Sequence, residues 1–285
     1  MSDDPQPAAA SRVVDVLAAL GVAVRAPFER VWRAVLYIGG LTGLFLAIAQ
    51  RLARTFATRG SRRRLGALAH QMTRVGVRAV PIVVLVQLFI GIILALNMAP
   101  TLEAYGQIER TADIVAIAVV RELGPLITAI LLSGFAGASV AAELASMVEG
   151  EEIKALRALA LDPVRFLIVP RVVATTIMMI GLAVVADAVG MLGGLVTGVF
   201  VLDIDSQSYI DATRAAITPR DYFTGLVKAA VFGLIVALLA CYEGINVRGG
   251  AEGVGRATTT TVVKSIVALI GADCAFTGVF YVLGW

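Results

Sequence analysis

Four ionisable side chains interrupt long apolar stretches of this sequence, and such groups are the first candidates for chemistry. They are Glu143, Asp187, Lys228 and Asp273. Proton relays in pumps and transporters use acidic and basic residues at membrane depth. Here the four are single and dispersed along the chain, which favours structural pairing over a relay.

A polar insert, Arg121-Glu122-Leu123-Gly124-Pro125, breaks another apolar stretch. A charge inside the hydrocarbon costs about 2.5–3.5 kcal/mol on insertion scales, so it should face a cavity or a partner. Arg121 and Glu122 could neutralise each other, or Glu122 could face a ligand. The insert alone leaves both possibilities open.

Two serines in "SGFAGAS", Ser133 and Ser139, invite a comparison with serine hydrolases. A serine nucleophile needs a base that activates it. The single histidine, His70, precedes the first predicted span and is expected to be solvated or interfacial. An intramembrane enzyme is therefore disfavoured.

Cys241 and Cys274 have no metal-site spacing, so no metal is expected.

Residues 151–171, "EEIKALRALALDPVRFLIVPR", form a charged stretch between apolar segments. Helical spacing places four apolar residues on one face, Ile153, Leu156, Leu159 and Ala160. The opposite face carries charge from Glu151, Glu152, Lys154 and Arg157. Pro163 predicts that the helix ends near Asp162, which can cap the next helix.

This short amphipathic helix could rest on the bilayer or be gripped by a cytoplasmic partner. Its acidic start, Glu151-Glu152, fits poorly with an anionic membrane surface. A motor subunit that pushes on such a helix would move the attached spans as rigid bodies. No GxxxxGK[ST] phosphate loop occurs in the sequence. Any ATP would therefore be bound by a partner chain, and no cofactor is expected in this one.

Composition predicts an all-α integral membrane protein. Of its 285 residues 59% are hydrophobic and 16% are charged, against about a quarter charged in soluble domains. Apolar runs long enough to cross a bilayer predict five transmembrane helices, at about 79–98, 113–144, 172–202, 222–242 and 265–285. The charged stretch would then be a cytoplasmic helix between spans 2 and 3.

The N-terminal part is expected to differ from the membrane domain at 79–285. Residues 1–12 are predicted to be disordered, and residues 13–78 to form an interfacial helical region. Within it, 34–49 is an uncharged run of 16 residues flanked by arginine, which favours an interfacial amphipathic helix, with a true span as the alternative. The basic run 59–64 suits anionic headgroups, and nucleic-acid binding is not expected.

Lysine and arginine in the loops predict the orientation. Twelve precede residue 79, and the four following loops hold one, four, two and three. The alternation places the N-terminus in the cytoplasm and the C-terminus outside. Glycines spaced four apart predict close helix contacts within the third span, at Gly190, Gly194 and Gly198.

Three stretches carry a resemblance to a known family. They are "RELGPLITAILLSGFAGASVAAELASM", "EEIKALRALALDPVRFLIVPRVVATT" and "RATTTTVVKSIVALIGAD". In combination, across about 65–285, they resemble the MlaE (YrbE) family of ABC permeases, which serves the Mla and Mce lipid-transport systems. "CYEGINVRGGAEGVG" is similar to the branch found beside Mce proteins, and "RELGP" to the Mla branch.

The resemblance implies a permease of the bacterial inner membrane that pairs with a second copy or a paralogue. It implies two cytoplasmic ATPase subunits and an assembly of MCE-domain proteins on the far side. Phospholipid or a related lipid would use a pocket between the two permeases, lined by Glu122, Leu94, Leu102 and Tyr105. The coupling helix would dock in the ATPase through Glu151, Glu152, Ile153, Leu156, Asp162 and Pro163. Arg121, Gly124 and Pro125 would be structural parts of the RELGP motif.

Two other classes remain as alternatives. An ion-coupled secondary transporter would use Asp187, Asp273 or Glu122 and need no ATPase. The absence of an evident inverted repeat in the sequence counts against it. A non-transporting scaffold would leave the polar RELGP insert without a use.

Overall fold

The computed structural model describes residue 29 and residues 31–53 and 62–284. The predicted disordered segment 1–12 lies outside these residues, as do residues 59–61 of the basic run. The described part is helical and contains no strand. This agrees with the all-α fold class expected from composition.

The first helix, α1 (Val31–Ala53), extends beyond the uncharged run at 34–49. Its 23 residues correspond to roughly 35 Å of helix, enough to cross a hydrocarbon core of about 30 Å. Most of its large apolar side chains are exposed, including Trp32, Leu36 and Ile38. Length and composition therefore permit a span, and the interfacial position of α1 stays a prediction.

Ten α-helices lie in the larger described unit, which begins at Ile48. They are α2 (Arg62–Val75), α3 (Val80–Ala104), α4 (Thr111–Ala118), α5 (Gly124–Leu132), α6 (Ala138–Glu149), α7 (Glu152–Ala158), α8 (Val169–Phe200), α9 (Ser206–Ala216), α10 (Pro219–Ile245) and α11 (Gly250–Val282).

Within the described residues, six continuous helical segments are long and apolar enough to cross a membrane. Besides α1 they are Leu68–Ala104, Ile108–Glu149, Val164–Phe200, Pro219–Ile245 and Gly250–Val282. Each of the five predicted spans falls mainly within one of these five segments. The helices extend beyond the apolar runs because local turns and caps, and not hydrophobicity, set where a helix begins and ends. One example is the capping box of Thr218 and Asp221 at the start of α10.

Segment Ile108–Glu149 is one helix with two wider, π-helical turns at Val119–Leu123 and Ser133–Gly137. The first immediately precedes Gly124 and Pro125. A proline inside a helix removes one hydrogen bond and clashes with the carbonyl four residues earlier. A wider turn relieves that clash, and it re-aims the side chains of Arg121 and Glu122.

Helix α8 packs against its neighbours through glycine. A Cβ on Gly91 of α3 would overlap the carbonyl oxygen of Gly190, and one on Gly193 would overlap that of Leu88. Cβ atoms at Gly194 and Gly198 would meet the Tyr209 side chain of α9. At Gly91 and Gly193 the backbones of α3 and α8 approach so closely that only hydrogen fits between them, as small-residue interfaces in membranes allow.

We expect Gly91→Ala to destabilise the protein by about 1–3 kcal/mol, because the new methyl group meets rigid backbone and not a side chain that can move. Thermal unfolding in detergent measures this change. Gly181→Ala in α8 is the matched control, since its Cβ would meet open space. Equal unfolding temperatures for the two variants would contradict the close approach of α3 and α8.

Candidate functional site

An ion cluster lies inside the helical bundle, around the ammonium group of Lys228. The Lys228 Nζ donates to Glu122 Oε2 at 2.6 Å and to Asp273 Oδ1 at 2.9 Å. The side chain of Lys228 is only 1% exposed. It lies nine residues after Pro219, which places it about 14 Å along α10. Three helical segments thus contribute one buried cation and two carboxylates.

Polar and aromatic groups complete this cluster. The Thr277 hydroxyl donates to Glu122 Oε1 at 3.1 Å and lies 3.3 Å from the Lys228 Nζ. The ring of Phe280 lies below the ammonium at 5.9 Å from its centroid, within the range of a cation–π contact. Both oxygens of Glu122 are therefore held, and its side chain is still 35% exposed. Among the three ions, Glu122 offers the most surface to a molecule beside the bundle.

Arg121 does not pair with Glu122 in this arrangement. Its Nη1 lies 3.4 Å from Asp221 Oδ1, at the first turn of α10. The other oxygen of Asp221 accepts from the backbone and hydroxyl of Thr218. Arg121 therefore joins the π-helical turn to the start of α10, while Glu122 joins it to the buried part of α10 and to α11. The structure therefore excludes the mutual pairing of Arg121 and Glu122, and contact of Glu122 with a ligand stays a prediction.

The structural pairing predicted for the dispersed charges is found for Lys228 and Asp273. They are 45 residues apart in the chain and directly bonded in space. Glu143 is paired too, with Arg74 at 2.8 Å and Arg171 at 2.9 Å. Structural pairing is thus confirmed for these ions.

Asp187 differs from these paired ions. It is 3% exposed, and its Oδ1 atom has no hydrogen-bond partner among the described residues. The atom lies over Gly124 of the RELGP motif, where a Cβ would overlap it. One turn further along α8, Gly190 packs against Val119, whose Cγ1 would lie 2.9 Å from a Cβ on that glycine. Because Gly124 has no side chain, the Asp187 carboxyl group of α8 can lie directly against the end of the π-helical turn.

The other three residues assigned to the lipid pocket lie on or just after α3. Leu94 is partly buried against Ala95, Val115 and Val119, beside the segment that leads to Glu122. Leu102 and Tyr105 lie about 12 and 17 Å further along the chain, at the end of α3. Tyr105 is 78% exposed. The structure thus brings Leu94 near the segment that carries Glu122 and places the other two toward the turn after α3.

The charged stretch between α6 and α8 forms a short, exposed helix. Glu151 precedes α7 in the left-handed conformation, with φ of 59°. Its carboxylate binds Lys154 at 2.7 Å, and this hydrogen bond lowers the pKa of Glu151. Ile153 is 8% exposed and anchors α7 to the bundle. Glu152, the first residue of α7, is exposed.

The predicted apolar face of this helix is correct only in part. Leu156 is half-buried, but Leu159 is 71% exposed. The reason is that α7 ends at Ala158 and Ala160 adopts a left-handed φ of 56°, which turns the chain away. Leu159 instead joins Leu161 and Phe166 as exposed apolar side chains of the same connection.

Asp162 caps the helical segment that leads into α8. Its Oδ1 accepts from the backbone N–H of Val164 at 3.0 Å, and Pro163 follows with helical φ. Its Oδ2 accepts a short hydrogen bond from Arg51, which lowers the pKa of the Asp162 carboxyl. The break between α7 and α8 is therefore held by side-chain contacts of Asp162.

Comparisons with known proteins identify the relatives of this chain. The family model described as Permease MlaE matches residues 68–279. A probable ABC transporter permease protein of Rickettsia felis is 36% identical over 217 residues, 76% of this chain and 84% of the relative. The intermembrane phospholipid transport system permease protein MlaE of Haemophilus influenzae is 33% identical over 76% of this chain and 84% of its own. The Arabidopsis thaliana chloroplastic protein TRIGALACTOSYLDIACYLGLYCEROL 1 is 32% identical over 74% of this chain and 60% of its own.

Proposed function

The chain belongs to the MlaE family of ABC transporter permeases, and from this premise we propose that it moves phospholipid or a related lipid between the bacterial inner membrane and an assembly of MCE-domain proteins. A separate cytoplasmic ATPase drives the movement. The chain works with a second permease copy or paralogue. Its N-terminus faces the cytoplasm and its C-terminus faces outward.

The observation that carries the proposal is the exposed connection around α7. A permease needs a surface that a motor can grip, and that surface must be coupled to the spans. Here Glu151 and Glu152 stand exposed, and Leu159 and Phe166 add exposed apolar surface beside them. Ile153 and Asp162 fasten the connection to the bundle.

The lipid would lie beside the ion cluster. Glu122 is partly exposed at the wider turn of segment Ile108–Glu149, and Leu94 lies next to the same segment. A lipid headgroup needs polar contacts and its chains need apolar ones, and this region supplies both. Leu102 and Tyr105 would line the path toward the outer face.

Motion of α7 would pass to both neighbouring segments. It follows α6 after a two-residue turn, and the capped break at Asp162 leads into α8. When ATP binding closes the motor subunits, α7 follows them and the spans move as rigid bodies. The pocket between the two permease copies then collapses toward the outer face, and lipid passes to or from the MCE assembly.

The experiment is purification of the tagged chain from its own cell in mild detergent, with mass spectrometry of the co-purifying proteins and lipids. We expect an ATPase subunit, an MCE-domain protein and phospholipid. Recovery of the chain alone in every detergent, with transport that stops when the proton gradient is removed, would replace this proposal with an ion-coupled transporter. In that case Asp187, with its unpartnered Oδ1 among the described residues, would be the first residue to study.

A further inference from the structure

A cavity separate from the ion cluster lies between α2 and the segment from Phe135 to Glu143. Its volume is about 150 Å³. Glu143 lies six residues before the end of α6, about 9 Å from the turn that leads to α7. The cavity therefore lies toward the end of the bundle that carries α7. The ion cluster, by contrast, is built on α10, α11 and the turn Val119–Leu123.

Positive charge dominates the walls of this cavity. Arg74 and Arg78 both line it, together with Glu143. Glu143 is already satisfied, because one oxygen binds Arg74 and the other binds Arg171. Arg78 is exposed and makes no ion pair within the described part of the chain. One guanidinium group is thus left to bind an anion, beside a second that is only partly neutralised.

Neutral polar and apolar groups complete the lining. The Ser139 hydroxyl and the Gln71 amide can donate hydrogen bonds into the cavity. Val140 and Phe135 add apolar surface to the lining, and Phe135 is 42% exposed. The lining of the cavity therefore combines cationic and apolar groups. A ligand that suits both kinds of group carries an anionic group attached to an apolar body.

The volume of the cavity limits which ligands can enter it. The cavity volume of about 150 Å³ is well below the roughly 300–1,000 Å³ of pockets for drug-sized ligands. A phosphate group with part of its glycerol fits, whereas a whole lipid does not. The acyl chains would remain outside, along the exposed ring of Phe135 and the surface of the bundle.

We infer that this cavity binds the phosphate group of an anionic membrane lipid through Arg78 and Arg74, with Ser139 and Gln71 as further donors. Guanidinium groups suit phosphate because their planar fork can make two parallel hydrogen bonds. Soluble phosphate offers the same chemistry without the acyl chains. The inference requires only that the chain lies in a membrane, and it holds whether or not the chain transports lipid.

The test is native mass spectrometry of the purified full-length chain, titrated with phosphatidylglycerol. Arg78→Gln should weaken binding of the first lipid by roughly tenfold, because a charge-assisted hydrogen bond is lost. Arg78→Lys keeps the charge and should retain most of the binding. Arg165→Gln is the matched control, because it is an exposed arginine close to α7 that does not line the cavity. Thermal unfolding should be the same for all three variants, since Arg78 is exposed and holds no other element.

Two further probes separate the sources of the phosphate. Diacylglycerol with the same chains should bind equally to the wild type and Arg78→Gln, because it has no phosphate. Displacement of phosphatidylglycerol by equimolar inorganic phosphate would support the anion site and assign it to a soluble ion, which overturns the lipid assignment. Equal phosphatidylglycerol binding by Arg78→Gln and the wild type would overturn the site itself.

Discussion

Replacing Lys228 with methionine should destabilise the protein by about 3 kcal/mol and stop transport. Loss of the ammonium leaves two carboxylates, Glu122 and Asp273, facing each other without their shared cation. Breaking a buried ion pair costs about 3–5 kcal/mol, and the 35% exposure of the Glu122 side chain puts the expected loss at the low end. Unfolding in detergent measures the stability, and lipid transfer in reconstituted vesicles measures the function.

Lys264→Met is the control for this variant. Lys264 also binds a carboxylate, Glu243 at 2.8 Å, but its side chain is 40% exposed, so the loss should be smaller. A triple variant, Lys228→Met with Glu122→Gln and Asp273→Asn, removes the uncompensated charges and should recover most of the lost stability. If Lys228→Met unfolds at the wild-type temperature, the ion cluster is not a structural centre of the bundle.

The double charge reversal Glu151→Lys with Glu152→Lys should remove the ATPase while the membrane fold stays intact. Both side chains are exposed, and the ion pair of Glu151 with Lys154 is a surface contact within the connection. Reversed charge opposite a complementary motor surface should cost about 2 kcal/mol or more, a loss of roughly thirtyfold in affinity. Co-purification of the ATPase measures the binding, and the unfolding temperature measures the fold.

Glu103→Lys with Glu109→Lys provides the matched control for the coupling variant. These two glutamates are exposed near the turn between α3 and α4, which the orientation predicted from the loops places outside. The control should keep the ATPase. If the Glu151 and Glu152 variant did so as well, α7 would not be the coupling helix, and the docking surface would have to be sought elsewhere.

The connection around α7 could be predicted largely from the sequence. Helical spacing and Pro163 predicted a short helix, a break and a cap at Asp162, and the structure has all three because these are local properties of the chain. The same reasoning placed Leu159 on the apolar face. The placement of Leu159 is wrong because Ala160 adopts the left-handed conformation and turns the chain out of the helix. The sequence does not signal this turn, since glycine is the usual residue in that conformation.

The ion-pair partners of Arg121 and Glu122, which lie far away in the chain, could not be predicted from local patterns. Pairing of Arg121 with Glu122 was one of the two possibilities that the sequence left open, yet adjacent residues on a helix point in different directions. Arg121 reaches Asp221, a hundred residues later in the chain, and Glu122 reaches Lys228. Nothing within the RELGP motif distinguishes these partners, because the choice depends on how α10 packs against the π-helical turn.

The sequence by itself determined the class of protein, the apolar segments, the charged connection and the family, since these depend on composition, local periodicity and motifs. The tertiary structure decided which charges meet, which glycines lie against another backbone, and where a cationic cavity opens between α2 and α6. The physical reason is that a charge buried in an apolar bundle must find a partner, and any helix that packs at the same depth can supply it.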